Sequence, residues 1–296
     1  MKKELKLDLL EGIKRLRILT SQIVNTRFVG GYKSVFKGRG LEFGGYRQYT
    51  PDDDASTIDW KASVRSNKLL VREFVEERNL NVYFLIDVSS SMAYSSIDKL
   101  KIEYAGEIAA ALSYVVLNAG DSIGFALFNE KIVKNISPTI GFMQHHNLVS
   151  TLVDPNYYGG KYNLNEALKF TLAFLKEASI VIIISDFIGL KNNWERYIKM
   201  VSKKFDLIGI MVRDPRDRTL PDYNAQVILE DPFSTRQILV RPRSIEDAYK
   251  KYVSSQEKKI KNEFLRAGAD FLELTTDKSF VEPLTSLFIK RIRRVR

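Results

Sequence analysis

From residue 82 onward, short uniformly apolar runs alternate with longer stretches whose apolar positions recur at helical spacing. Val82–Ile86, Ser122–Phe128, Ser179–Ile184 and Phe205–Val212 are runs of the first kind. Runs this uniformly apolar read as strands buried on both faces, the condition of a parallel sheet covered by helices on each side. Between them, Ile97–Leu117, Asn163–Glu177 and Trp194–Val201 carry the i, i+4 rhythm of helices, and a long helix is predicted from Ser244. Lys131–Ile136 reads as an antiparallel edge, and Gln226–Leu229 with Gln237–Val240 as a hairpin turning at Asp231-Pro232. A strand at Asp270–Leu274 and a helix at Phe280–Ile292 close the pattern. The expected fold is α/β: a Rossmann-like, mostly parallel sheet with helices on both faces.

The pattern differs ahead of this unit. Leu5, Leu9, Leu10, Ile13, Leu16 and Ile23 predict a leading amphipathic helix within residues 1–27, stopped by Gly30-Gly31. From Ser34 to Asn79 aromatics, glycines and charges dominate, predicting short strands and turns, a short helix at Ile58–Val64 and a strand at Leu69–Phe74. Two units follow: a small helix-plus-β block over residues 1–79, and an α/β domain over 80–296 with a hairpin excursion near 225–241.

The chain has 296 residues, enough for one large domain or two modest ones. No apolar run approaches the roughly 18 residues of a membrane-spanning helix, and the N-terminus has no apolar signal core, so a cytoplasmic location is expected. The absence of cysteine excludes disulfides, thiolate metal sites and thiol catalysis. The formal charge is +10, with basic residues concentrated over Lys290–Arg296. Such a tail suits a solvated helix end, where cations complement the helix dipole. The sharper alternative is a nucleic-acid or anionic membrane surface, but no zinc finger, helix-turn-helix or RNA-binding aromatic signature accompanies it, so nucleic acid is not the expected partner.

Candidate chemistry gathers at strand ends. Val82–Ile86 stops at Asp87-Val88-Ser89-Ser90-Ser91, which places one carboxylate and two hydroxyls at alternate positions outside the carboxyl end of a buried strand. Three hard oxygens of this kind form a partial shell for Mg²⁺ or Mn²⁺ rather than a nucleophile with its base. Ser185-Asp186 follows another buried strand and supplies a second carboxylate on the same edge if the strands are neighbours. Between them, Gly159-Gly160-Lys161-Tyr162-Asn163 opens a helix, with Asn163 placed as its N-cap. Three loops would then surround one cation. Other motifs carry less. Gly159-Gly160 lacks the Gly-Lys-Ser/Thr ending of a phosphate loop, His145-His146 has no third ligand at zinc spacing, Asp52-Asp53-Asp54 reads as a solvated turn, and Trp60 and Arg65 read as packing and salt-bridge anchors.

The strand-end pattern resembles the von Willebrand factor A-type domain and its metal-ion-dependent adhesion site, which joins Asp-x-Ser-x-Ser, a threonine and an aspartate from three loops. Asp87, Ser89 and Ser91 match the first element and Asp186 the third; at the second, Tyr162 stands in the threonine's place, with Asn163 beside it. The resemblance extends upstream. Gly38-Arg39-Gly40-Leu41-Glu42-Phe43, Tyr46-Arg47, Tyr49, Asp53-Asp54, Ile58-Asp59-Trp60-Lys61, Arg65 and Val71-Arg72-Glu73-Phe74 follow one another as in the domain-of-unknown-function 58 family, as do Gly120-Asp121, Asp214-Pro215-Arg216, Leu220-Pro221 and Ala267-Gly268-Ala269-Asp270 further on. That similarity is collinear from about Leu9 to Phe288; Asp52 departs from it, standing where the family usually has glycine. It implies a non-enzymatic interaction module, an adaptor or co-chaperone of a MoxR-type AAA ATPase and of a client protein, with no small-molecule substrate. A carboxylate of the partner would complete the metal's shell. The alternatives are a metal-dependent phosphohydrolase, which lacks an evident nucleophile and general base, and a basic nucleic-acid or membrane-surface protein.

Overall fold

A computed structural model describes residues 42–50, 53–75, 80–222, 224–234 and 236–295. The expected leading helix lies outside these residues, as do Gly38–Leu41, Asp52 and Arg296.

In the upstream block, β1 (Glu42–Gln48) pairs antiparallel with β2 (Leu70–Val75), and α1 (Trp60–Ser66) lies between them in sequence. The acidic residues here shape turns. Asp53 accepts from both terminal nitrogens of Arg47, at 2.6 and 2.5 Å, and from the Thr50 amide. Asp54 caps a 3₁₀ turn through the Ser56 amide. Asp59 caps α1 by accepting from the Lys61 and Ala62 amides, and Tyr46 donates to its other oxygen. Trp60 departs from its expected packing role: it is 63% exposed, and Val64, one turn on, is exposed with it.

The larger unit follows the predicted alternation closely. Its elements are β3 (Asn81–Asp87), α2 (Lys101–Asn118), β4 (Ser122–Phe128), β5 (Ile132–Thr139), α3 (Met143–Val153), α4 (Leu164–Phe174), β6 (Ser179–Ser185), α5 (Trp194–Lys204), β7 (Asp206–Arg213), α6 (Pro215–Arg218), the hairpin β8 (Val227–Glu230) and β9 (Gln237–Val240), α7 (Pro242–Arg266), β10 (Asp270–Thr275) and α8 (Val281–Val295). Six strands form one sheet in the order β10-β7-β6-β3-β4-β5. Every neighbouring pair is parallel except β4–β5, so the antiparallel edge is where the sequence places it.

The double winding is visible in β3. Val82, Phe84 and Ile86 face a core shared with Ile108, Leu112, Leu148 and Phe288, so α2, α3 and α8 cover that side. Tyr83 and Leu85 face the opposite core, with Leu168, Ile198 and Phe264 of α4, α5 and α7. Each fully buried aliphatic or aromatic side chain contributes about 1.5–3 kcal/mol relative to exposure, which explains why strands apolar on both faces cannot be accommodated at a solvated sheet surface. Several details differ from expectation. α3 and the short α6 form where the sequence pattern predicts no helix, and α3 buries Leu148 and Leu152. α2 begins at Lys101 rather than Ile97, because Ser95 and Ser96 are held in a loop by Asp214. In the basic tail, Arg291 is nearly buried and paired with Asp206 and with Asp270 at 2.7 Å, so part of that charge belongs to the fold.

Taken in chain order, the six strands lie 3-2-1-4-5-6 across the sheet. β3 and β6 are the central pair, where the winding reverses. Ligand crevices of open α/β sheets form outside the carboxyl ends of such a pair, and Asp87 and Asp186 stand there.

Candidate functional site

Asp87 is fully buried. Its Oδ1 accepts from the Ser89 amide at 2.9 Å, and its Oδ2 accepts from the Ser185 hydroxyl at 2.7 Å. Ser89 Oγ and Ser91 Oγ face each other at 3.3 Å, both shielded from solvent. The first loop is zipped to the second by Gly159 N–H donating to Val88 O (2.8 Å) and Ser90 N–H donating to Gly160 O (3.0 Å). Gly160 is required here: its φ is +83°, and a Cβ would stand 2.9 Å from the Asn129 amide nitrogen.

Tyr162 is buried on this second loop, with its ring centroid 5.9 Å from that of Phe128 and its hydroxyl 3.2 Å from Ser185 Oγ. Because the single Ser185 proton is directed to the Asp87 carboxylate, the phenol is the donor in that contact. Burial, then the neighbouring Asp87 charge, holds the phenol well above its ordinary pKa. Asn163 takes the N-cap position of α4, but its side chain caps nothing, and its Oδ1 is buried without a hydrogen-bond partner.

The third loop adds Asp186, also fully buried. Its Oδ1 accepts from the Ile188 amide at 2.9 Å. Its Oδ2 accepts from Lys101 Nζ at 2.8 Å, and the same ammonium donates to Asp217 Oδ2 at 3.0 Å. Lys101, the first residue of α2, is only 1% exposed. Asp217 also accepts from the Asp214 amide, and Asp214 in turn accepts from the Ser96 hydroxyl (2.5 Å), the Ser96 amide (2.8 Å) and the Arg216 amide (2.8 Å). Four segments therefore converge: the loop before α2, the start of α2, the end of β6 and the turn after β7.

The charges are arranged unequally. Burial, followed by the like charge of Asp186, pushes Asp87 up to about 7. Burial disfavours the Lys101 ammonium, but Asp186 and Asp217 outweigh it and raise its pKa above the ordinary value. Burial also opposes the Asp214 carboxylate, and the bonds from Ser96 and Arg216 overcome that effect and lower its pKa.

All four residues expected to hold metal thus stand at the central strand pair, with Tyr162 beside them. Their arrangement fits an A-type metal shell poorly in two places. The second-loop hydroxyl is a phenol committed to Ser185, and one Asp186 oxygen is bound to an ammonium, which brings like charge to the position of a dication. His145 is bonded to Ser113 Oγ through Nδ1 at 2.7 Å, and among the described residues no group of three His, Cys, Asp or Glu side chains is placed to hold a metal.

Sequence reasoning missed Lys101, Ser185, Asp214 and Asp217 as members of this site. Lys101 did leave a signal, since it shares one helical face with Ala105, Ile108 and Leu112. A lysine in an apolar stripe needs a buried anion. Asp214-Pro215 also carries an N-cap signature, an acidic cap followed by proline at the first helical position.

A family model described as "Protein of unknown function DUF58" matches residues 45–259. An uncharacterized protein of Mycobacterium tuberculosis, Rv1480, is 25% identical over 286 residues, 95% of this chain and 89% of that protein. A stretch of 99 residues is 32% identical to the uncharacterized protein YeaD of Bacillus subtilis, covering 33% of this chain and 22% of YeaD. Among solved structures, the conserved hypothetical protein BatB from Bacteroides thetaiotaomicron overlaps 73% of this chain and 100% of its own at 15% identity, with a TM-score of 0.48. A von Willebrand factor type A structure from Catenulispora acidiphila overlaps 74% of this chain and 44% of its own at 13% identity, with a TM-score of 0.42. The strand order and the buried double winding described above, rather than these overlaps, define the fold.

Proposed function

The chain belongs to the DUF58 family, and from that premise we propose that it is a non-catalytic protein-interaction module, an adaptor or co-chaperone that meets a MoxR-type AAA ATPase at the rim of the strand-end cluster. One observation carries the choice of surface. Tyr94 is 50% exposed directly outside the cluster, its ring centroid 5.9 Å from Lys101 Nζ, and Ile97 is exposed on the same loop. Asp214 fixes that loop through Ser95 and Ser96, so the aromatic ring is presented on a braced support. Exposed aromatics on rigid supports are the usual anchors of protein interfaces.

The chemistry of the cluster favours recognition over turnover. The hydroxyls of Ser89, Ser91 and Ser185 are buried, and Ser185 Oγ is already bonded to Asp87, so none stands open to substrate beside a base. A phosphohydrolase would need both an open nucleophile and an open metal coordination position. No helix among the described residues is long and apolar enough to cross a membrane, and the expected meeting place is the cytoplasm.

Co-purification with the organism's own MoxR-type ATPase tests this reading. Tyr94→Arg is expected to weaken retention about tenfold or more, the loss of a typical aromatic anchor, with the melting temperature unchanged because the ring is half exposed. Equal retention of wild type and Tyr94→Arg would overturn the assignment of this surface.

A further inference from the structure

We infer that Lys101 is the resident cation of this site: its ammonium, held between Asp186 and Asp217, ties the strand-end loops together in the role a divalent ion has in A-type domains, and the site is assembled without metal. The inference concerns the same strand-end cluster that the proposed interaction reading uses. It is tested on the isolated protein, so its failure would leave the partner assignment standing.

Three observations converge. Lysine is almost never fully buried unless paired, and Lys101 is buried with two carboxylates at 2.8 and 3.0 Å. Those carboxylates come from different strand ends: Asp186 follows β6, and Asp217 sits in α6 after β7. With the lysine itself opening α2, a single Nζ joins three segments, the kind of cross-link a multidentate ion provides. Second, Tyr162 stands where the resemblance to A-type domains would put a threonine, and its hydroxyl is turned to Ser185. The second-loop oxygen is engaged within the protein at the same site that holds an internal ammonium, and the two features complement each other. Third, both Asp186 oxygens and both Asp87 oxygens already accept hydrogen bonds from the protein. Each of these oxygens keeps a second lone pair, so what opposes a dication here is the like charge of the Lys101 ammonium already bound to Asp186.

The arrangement also has a visible outlet. Tyr94, the exposed ring of the proposed partner surface, lies over the ammonium, so the internal cation underlies the rim on which a partner would dock.

The decisive experiment titrates Mn²⁺ into the full chain stripped with chelator, following bound metal by electron paramagnetic resonance and the melting temperature in parallel. Wild type is expected to bind no stoichiometric Mn²⁺ and to melt within about 1 °C in chelator, Mg²⁺ or Mn²⁺, where a saturating site ligand would give several degrees. Lys101→Ala leaves Asp186 and Asp217 facing the space the ammonium filled, and this variant is expected to gain several degrees from Mn²⁺. Stoichiometric Mn²⁺ bound by wild type and lost in Asp87→Asn would overturn the inference. So would a folded Lys101→Ala protein indifferent to Mn²⁺. If that variant fails to fold, the wild-type titration decides alone.

Discussion

Lys101→Met is expected to destabilise the protein by about 3–5 kcal/mol, the range for removing one member of a buried ion pair. In a unit of this size that corresponds to a fall of roughly 10 °C in melting temperature. The side chain is nearly isosteric and apolar, so the cavity term is small. The loss arises because Asp186 and Asp217, bonded to Nζ at 2.8 and 3.0 Å, would remain buried with their charge uncompensated. A double-mutant cycle separates these causes. Lys101→Met combined with Asp186→Asn is expected to recover part of the stability lost in Lys101→Met alone, because one of the stranded charges is removed. Urea unfolding of the four proteins measures the coupling, and additive losses would show that the pair is not a unit.

Asp87→Asn is expected to do the opposite and stabilise the protein. The native carboxyl, pushed up to about 7 by burial and then by Asp186, holds its proton over a pH range in which the unfolded chain releases it. The native state therefore binds more protons between the unfolded value near 4 and about 7, and stability falls as pH rises through that window. Below pH 4 both states are protonated and the penalty is absent. Above 7 it is fully present. Asparagine keeps the shape and an oxygen for the Ser89 amide while removing the charge, so the gain at pH 8 is expected to be about 2–4 kcal/mol, shrinking toward zero near pH 4. Denaturant midpoints at the two pH values check this. A loss of stability of equal size at both would mean that the hydrogen bonds of Asp87, rather than its charge, dominate. A residue whose removal stabilises the fold is one retained for another reason, which is the pattern of a functional site.

Much of the fold was legible because burial on both faces leaves an unmistakable trace. Val82–Ile86 and Ser179–Ile184 have no polar residue to hide from a second helical layer, apart from the first position of the latter, and both became central strands. β4 matched its predicted limits, and the antiparallel edge expected over Lys131–Ile136 is β5, which runs on to Thr139. The start of α2 was not legible, since the residues that keep 95–100 out of the helix accept their restraint from Asp214, over a hundred positions away. Trp60 failed for a related reason: residue type argues for packing, whereas exposure is decided by what the rest of the chain brings to that face.

The site was half legible. Asp87, Ser89, Ser91 and Asp186 are local motifs at strand ends, and the order of β3 and β6 brings them together. Lys101 and Asp217 enter through the packing of α2 against the β6 and β7 ends, which periodicity shows as faces but not as partners. A polar residue within an apolar stripe is the trace to look for. Lys101 is hard to single out because its helix reads as alanine-rich and amphipathic without it.

The most direct test of an internally neutralised strand-end site is a crystal structure of the protein grown in millimolar MnCl₂, with anomalous data collected at the manganese edge. No anomalous peak is expected among Asp87, Ser89, Ser91 and Asp186, and Lys101 Nζ is expected within hydrogen-bonding distance of both Asp186 and Asp217. A manganese ion about 2.0–2.3 Å from Asp87 and the two serine hydroxyls, within coordination range of hard oxygen ligands, with Lys101 turned away from Asp186, would contradict internal neutralisation.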